Sequence, residues 1–599
     1  MQRSPERQLT LRVQLAVLTC VLLIIVASRV VRLNTLEMDA DEVWSVWQTF
    51  GSPTQIIQWT PYDWPPLFYL TVGGWQTLTG IHPFTLRLFP LFVFLIALAL
   101  LYRIARRVYG DTTALIAVTA CAAMGYAINI SLMLRGYILI FMLALLALWL
   151  ALRYFNRPTL VRALWLAACL TVMFYVHITS LLAMALIGGY TLILFGRRIW
   201  RWWLPGVIFA ALAIPELVTK VSVAGVYANE GTPIVQAWLA SGGQVFFQVF
   251  GDLLHDFAGY SPELWVALIA IATALVLDKY RLQRRVLTLL LWMLVPMLLI
   301  FGGLFGAFTA RHLAWVMPGF AVWLGWGFSR LPRAGIVGLL GVLIVMMFGP
   351  APIAERYKKV DAPLVVTFSW LAQHMEADDV LVIDPNIKTV TAEEWNYFTS
   401  VYFPAGLQFV TDPAAYRRVW YIAIDGQQNA RTYTAVQHDR APTLTMGPPT
   451  FLVRLYEAAP DTTGIPFANG LRFHGAQRIA DRRSSLQPGD TLHVRLWWSI
   501  DRAIDLDYSE GTYLVGSKGF LAQFDGPPQI NDAPRETSRW ITGRYYIEER
   551  ELTLPNTLAP GDYPVDLAIY HYSDQKRIAA PGETPDGLLP LLTIRVSTP

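Results

Sequence analysis

Long apolar runs broken by arginine clusters fill the first 350 positions of the chain. A run of about 17–25 apolar residues is long enough to cross a bilayer as a helix. Arg3, Arg7 and Arg12 precede the first run, which ends at Val31. Further runs span Phe84–Leu101, Thr112–Ile130, the stretch from Tyr137 to Arg153, Leu164–Tyr175, and the stretches before Arg197 and up to Pro215. Leu264–Leu277, Leu287–Phe305, Leu313–Phe328 and a last run ending near Pro350 complete about eleven expected helices. Lys and Arg concentrate in the loops on the cytoplasmic side of such proteins. Arg103/Arg106/Arg107, Arg153/Arg157/Arg162, Arg197/Arg198/Arg201, Lys279–Arg285 and Arg330/Arg333 all fall on the side of the N-terminus if the runs cross in turn. The N-terminus is therefore expected in the cytoplasm. The short apolar stretch Pro66–Thr79 would invert that pattern as a span, so it is read as a helix lying along the outer interface.

The pattern changes after Pro352. Ser369–Asp384 reads as an amphipathic helix leading into a strand at Val380–Ile383, with more strands at Val419–Ile424 and Phe451–Tyr456. From about Ile465 the period becomes two. Leu492, Val494, Leu496 and Trp498 alternate with Thr491, His493, Arg495 and Trp497, and Val565, Leu567 and Ile569 follow suit. Pro488-Gly489-Asp490 and Pro560-Gly561-Asp562 supply turns just before strands. The expected architecture is a polytopic helical membrane domain over 1–352, with an outer loop at 34–83 carrying interfacial helices. An extracytoplasmic α/β unit follows over 353–460, and an antiparallel β-sandwich over 461–599.

Composition agrees with the membrane reading. The chain is 55% hydrophobic and 15% charged, against about 25% charged in ordinary soluble proteins. Its 22 tryptophans suit interfacial belts. A formal charge of +4 without a basic stripe argues against nucleic acid as a partner. Cys20, Cys121 and Cys169 all lie in apolar runs, so the C-terminal region has no internal disulfide. The N-terminal run is longer than a signal peptide core and lacks a small-residue cleavage site, so it is kept as a first membrane helix.

The densest chemistry follows that helix. Glu37-Met38-Asp39-Ala40-Asp41-Glu42 holds four acids in six residues. Asp39 and Glu42 have capping-box spacing ahead of the apolar face Val43, Trp44, Trp47 and Phe50, and one cap suffices, so Asp41 is the acid that structure explains least. Asp39-Ala40-Asp41 also has the spacing of a metal–nucleotide-diphosphate site, but nucleotide sugars are cytoplasmic and this cluster is expected outside. A divalent metal stays open as a cofactor, with Asp39, Asp41, Glu42 and His255 as candidate ligands; Asp256 adjoins His255. Arg135 and Arg311 stand at outer ends of runs, either snorkelling to headgroups or binding a lipid phosphate, for which a guanidinium is suited. His312, His177 and Asp63, the last beside Trp64-Pro65-Pro66, are further candidates for substrate contact, although an interfacial or structural role explains His177 and Asp63 as well. Trp497 is a candidate to stack on a sugar, although a strand tryptophan is more often core.

These motifs resemble the GT-C membrane glycosyltransferases, in particular the bacterial protein O-mannosyltransferase and aminoarabinose-transferase-like proteins. Asp41-Glu42 after the first run resembles their Asp-Glu motif, and Pro65-Pro66-Leu67-Phe68-Tyr69 their proline pair. Leu86-Arg87-Leu88-Phe89-Pro90, Arg135-Gly136-Tyr137 and Arg311 resemble patterns that follow. The resemblance covers about 10–350, and the C-terminal region looks like the tail of some bacterial members. It implies transfer of a sugar, with inversion, from a polyprenyl-phosphate donor to a hydroxyl on a glycan, lipid or protein acceptor at the outer face of the cell membrane. Asp41 would be the base and Glu42 would help position it or a metal, with Arg311 and Arg135 neutralising the lipid phosphate. Some relatives carry a second acid where this chain has Arg135-Gly136. The competing readings are a transporter or flippase of a lipid-linked saccharide, and a non-catalytic scaffold that recruits partners through its β region. Transporters place ionisable groups near mid-membrane, whereas the acids and arginines here sit at the ends of runs.

Overall fold

The computed structural model describes residues 5–33, 37–60, 65–227, 258, 262–280, 283–301, 310–349, 362–479, 485–530 and 533–597. The described part of each apolar run of the first 350 positions is helical. The helices are α1 (Pro5–Val30), α5 (Pro83–Tyr109), α6 (Asp111–Ala123) with its short extension α7 (Gly125–Ile130), α8 (Tyr137–Asn156), α9 (Leu160–Val176), α10 (Ser180–Phe195) and α11 (Trp203–Tyr227). Pro262–Tyr280, Arg284–Phe301, Met317–Phe328 and Arg333–Phe348 follow. Among the described residues, three helical stretches are long and apolar enough to cross a membrane: Pro83–Tyr109, Tyr137–Asn156 and Ser180–Val218. Five shorter apolar helices accompany them.

The connection after α1 holds three short helices, α2 (Ala40–Trp47), α3 (Pro53–Trp59) and α4 (Leu67–Thr79). The first two open on capping boxes, Asp39 with Glu42 and Ser52 with Gln55, each of which satisfies otherwise orphaned N–H groups at a helix start. Pro83 opens α5, where its missing N–H costs nothing. Packing between helices relies on small residues. A Cβ on Gly325 of Met317–Phe328 would lie 2.4 Å from the Thr113 carbonyl of α6. One on Gly327 would lie 2.7 Å from Cα of Ala272. Close backbone approach of this kind supplies dispersion contacts where lipid removes the hydrophobic drive.

The chain divides into two compact units. The first holds residues 1–369 together with Thr391–Pro404, the second Trp370–Val390 with Ala405–Pro599. Thus helix Ala392–Tyr402, though it follows the first strand of the α/β region in sequence, belongs to the first unit and packs on α2.

The second unit contains three sheets. In the first, β1 (Val380–Ile383) lies parallel to β2 (Arg418–Ala423), and β4 (Leu452–Ala458) joins β2 to β3 (Arg440–Met446) in antiparallel fashion. The second runs in the order β10-β7-β6-β5, from Tyr546–Thr553, Thr491–Ile500, Leu471–Arg478 and Ile465–Pro466. The third orders β12 (Arg577–Ile578), β11 (Gly561–His571), β8 (Tyr508–Gly516) and β9 (Gly519–Gly526), with β13 (Leu589–Val596) also on β11. Leu492, Val494, Leu496 and Trp498 from the second sheet join Leu514, Val565, Leu567 and Ile569 from the third in one apolar core.

The opposite face of β7 corrects the expectation for Trp497. Trp497 is fully buried, with the Arg417 guanidinium 5.6 Å above its ring, so it offers no surface to a sugar. Beside it Arg495 ion-pairs with Glu457 of β4 and, at 2.6 Å, with Glu549. Glu457 also meets Arg418 at 2.6 Å, and Arg418 meets Asp379 at 2.7 Å. This chain of charges, buried except for Glu549, ties the α/β sheet to the β-rich region. On the polar face of β7, Arg495 and Trp497 are covered by that contact, while Thr491 and His493 are part-exposed.

Candidate functional site

Asp39 starts α2 by accepting a hydrogen bond from the Glu42 amide at 2.8 Å. The same cap turns the Glu42 side chain back into the protein, where it is buried. There it meets Arg87, in the first turn of α5, with Arg87 Nη2 2.8 Å from Glu42 Oε2 and Nε 3.3 Å from Oε1. The Leu134 amide donates to Oε1 at 2.9 Å. Arg87 also donates to the carbonyls of Glu37 and Leu33, at 2.8 and 3.3 Å. A buried ion pair repays its desolvation only when the remaining donors and acceptors are met, and here they are. Glu42 is thus a strut linking α2, α5 and the 131–136 loop.

Asp41, one residue before it, points the other way. Its side chain is 47% exposed and its Oδ2 lies 3.5 Å from Nη2 of Arg135, which is itself buried. Arg135 Nη1 donates to the Asp41 carbonyl and to Ser45 Oγ, both at 3.0 Å. Burial works against the Arg135 charge, but Tyr137, Asp41, Tyr69 and Asp39 outweigh it and raise its pKa. Burial, with help from Glu42 and Asp41, pushes the Asp39 carboxyl up to about 7, opposed by the Glu42 amide and Arg135. The corner therefore holds one carboxylate consumed by the fold, one half-exposed beside a buried guanidinium, and one poised near neutrality.

The helices bring further candidates to the same end. Arg87 starts α5, Arg135 directly precedes α8, and His177 caps the end of α9, as alternating helix directions require. The His177 ring lies 5.6 Å from that of Tyr137, and its Nδ1 accepts from the Thr179 amide at 3.1 Å. His177 thus packs into the corner through Tyr137. Arg311 and His312 fall in the 3-10 turn Ala310–Val316, which packs on α7 and α8; their side chains lie outside the described residues, as do Asp63, His255 and Asp256.

Two arginines gain roles that the sequence did not attach to them. Arg87 sits in the string Leu86–Pro90 with no partner in view, because Glu42 is 45 positions away. The usable signal was a cation in the first turn of a run, on the same side as an acidic loop. Arg29, fully buried in the last turn of α1, donates to Ser131 Oγ at 3.0 Å and to the Ala122 carbonyl at 2.6 Å. It pins the loop that carries Arg135.

Glu42 is taken up by Arg87 and Leu134, and Asp41 faces Arg135. Among the described residues no group of three or more His, Cys, Asp or Glu side chains stands together to hold a metal.

Fold and site together define a helical chain of membrane type with a charged acid–arginine corner at one end of its helices. Residues 63–219 match the family described as dolichyl-phosphate-mannose-protein mannosyltransferase. That stretch includes Arg87, Arg135 and His177, and begins beyond Asp41 and Glu42. Similar solved structures include ArnT from Cupriavidus metallidurans in the apo state, at 13% identity and TM-score 0.46 over 74% of this chain and 99% of that one. ArnT from the same organism bound to undecaprenyl phosphate gives 12%, 0.46, 74% and 98%. The arabinosyltransferase EmbB from Mycobacterium smegmatis gives 12% and 0.36 over 92% of this chain and 64% of that one. No curated protein sequence matches the chain.

Proposed function

We propose that the chain is an inverting glycosyltransferase that moves a sugar from a polyprenyl-phosphate donor to an acceptor hydroxyl at the outer face of the membrane. The observation that carries this reading is the division of labour at Asp41-Glu42: Glu42 is locked to Arg87, and Asp41 alone is presented, half-exposed, against the buried Arg135. The mannosyltransferase match over residues 63–219 supports a lipid-phosphate-linked donor.

In this reading the acceptor oxygen attacks the anomeric carbon of the donor while Asp41 takes its proton. The bond from that carbon to the phosphate oxygen breaks from the opposite face, and the lipid phosphate leaves with the electron pair. A guanidinium held in place before the reaction stabilises charge as it develops on the leaving group; Arg135 fills that role, with Arg311 as its partner from the Ala310–Val316 turn. Glu42 and Arg87 position α2 and so Asp41. The two-sheet region is read as a β-sandwich outside the membrane, and the membrane as the cell membrane.

The test is incubation of membranes carrying the protein with a panel of labelled polyprenyl-phosphate sugars. The expected result is transfer of label from at least one donor into an acceptor fraction, absent from membranes without the protein. Failure with every donor, with the protein folded and inserted, overturns the reading.

A further inference from the structure

The wall of the acidic corner is not built by the membrane-type helices alone. Tyr397, on helix Ala392–Tyr402, is buried, and its hydroxyl donates to the Ile81 carbonyl at 2.9 Å and lies 3.0 Å from Met38 Sδ. Met38 is the residue before the Asp39 cap. Ile81 lies two residues before α5, which carries Arg87. One hydroxyl therefore bridges the two strands of chain whose side chains meet in the Glu42–Arg87 pair. Helix Ala392–Tyr402 also packs along α2, and the His82 ring lies 5.9 Å from that of Tyr402. A second contact acts on the same loop: the Glu37 carboxylate accepts from the Val365 amide at 2.8 Å, at the start of helix Leu364–His374. The loop 37–42 is thus held from the far side by residues that follow the last apolar helix. Phe368 stacks on Phe398 at 5.6 Å and joins those two segments to each other.

We propose that Tyr397 is a positioning residue for Asp41, and that helix Ala392–Tyr402 is a working part of the catalytic corner. This rests on the proposed role of Asp41. The hydroxyl fixes the height of Met38 against the start of α5, and so the direction in which the next turn of chain presents Asp41 toward Arg135. Removing it leaves the Ile81 carbonyl without that donor and frees the loop by one contact, while the aromatic packing of the ring stays.

Tyr397→Phe in the full-length protein tests this. Turnover should fall up to about tenfold, the scale of one hydrogen bond, with the donor KM unchanged. Hydrogen–deuterium exchange should rise in the peptide covering residues 37–47 and stay unchanged over residues 137–156. Wild-type turnover and exchange in Tyr397→Phe would overturn the proposal. So would a uniform rise in exchange along the chain, which marks a purely structural role. If Tyr397→Phe does not fold, Met38→Leu decides: a local rise in exchange at residues 37–47 supports the proposal, and no change overturns it. Absence of transfer by the wild-type protein would instead count against the proposed function, and the exchange measurement still judges the positioning.

Discussion

At the scale of residues, the acids that crowd together in sequence have been separated by the fold into different tasks. Glu42 and Arg87 are both almost completely buried and satisfy each other. Removing one leaves the other as an unpaired buried charge, a loss of about 3–5 kcal/mol. Glu42→Ala and Arg87→Ala are therefore expected to lower the thermal midpoint sharply, while an apolar pair such as Glu42→Leu with Arg87→Met recovers much of the loss. Thermal unfolding in detergent checks this; additive losses in the double variant would contradict the strut role. The cap spacing of Asp39 and Glu42 was readable from four consecutive positions. The partner of Glu42 was not, because nothing local in the sequence joins position 42 to position 87. The same holds for Trp497: a strand period of two shows which residues share a face, and not what covers that face. Here the cover is Arg417 and the Glu457–Arg495 pair.

At the scale of elements, α2 is short and depends on its cap, and the cap carries a pH dependence. The Asp39 carboxyl sits at about 7 in the fold, against about 3.9 for an unfolded aspartate. Because the folded value is the higher one, the neutral form contributes stability that is complete below about pH 4 and is lost as pH rises through 7. The folded protein should therefore lose stability between about pH 4 and pH 7, and Asp39→Asn should flatten that part of the curve. Parallel curves for the two proteins would refute the burial of Asp39 as its cause. The helices of the first 350 positions were legible in number of runs and rough place, but not in their ends: the run read as Phe84–Leu101 is a helix over Pro83–Tyr109, and the run up to Pro215 continues to Tyr227. The short helix Ala392–Tyr402 was not foreseen, nor was its place in the first unit against α2. Its three glutamate and asparagine residues near the start, Glu393, Glu394 and Asn396, give it the composition of a solvent-facing element, and only long-range packing shows where it goes.

At the scale of the whole molecule, the donor argument depends on the side of the membrane that α2 faces. The orientation comes from the arginine pattern alone. A single cysteine at the exposed position 40, made as Ala40→Cys in a variant with Cys20, Cys121 and Cys169 replaced by serine or alanine, should react in intact cells with a membrane-impermeant maleimide. Labelling only after lysis would place α2 in the cytoplasm and remove the case for a lipid-linked donor. The β-rich region was legible as alternating strands with Pro-Gly-Asp turns, while the division of residues 353–460 between the two units follows from contacts that no local pattern encodes.

The central claim is that Asp41 is the base and Glu42 is not. The most direct measurement is the initial rate of sugar transfer by purified, folded Asp41→Asn. A general base contributes about 10²–10⁴-fold, so a fall of that order is expected, with donor binding and thermal midpoint close to wild type. Transfer by Asp41→Asn at a near-normal rate would contradict the account.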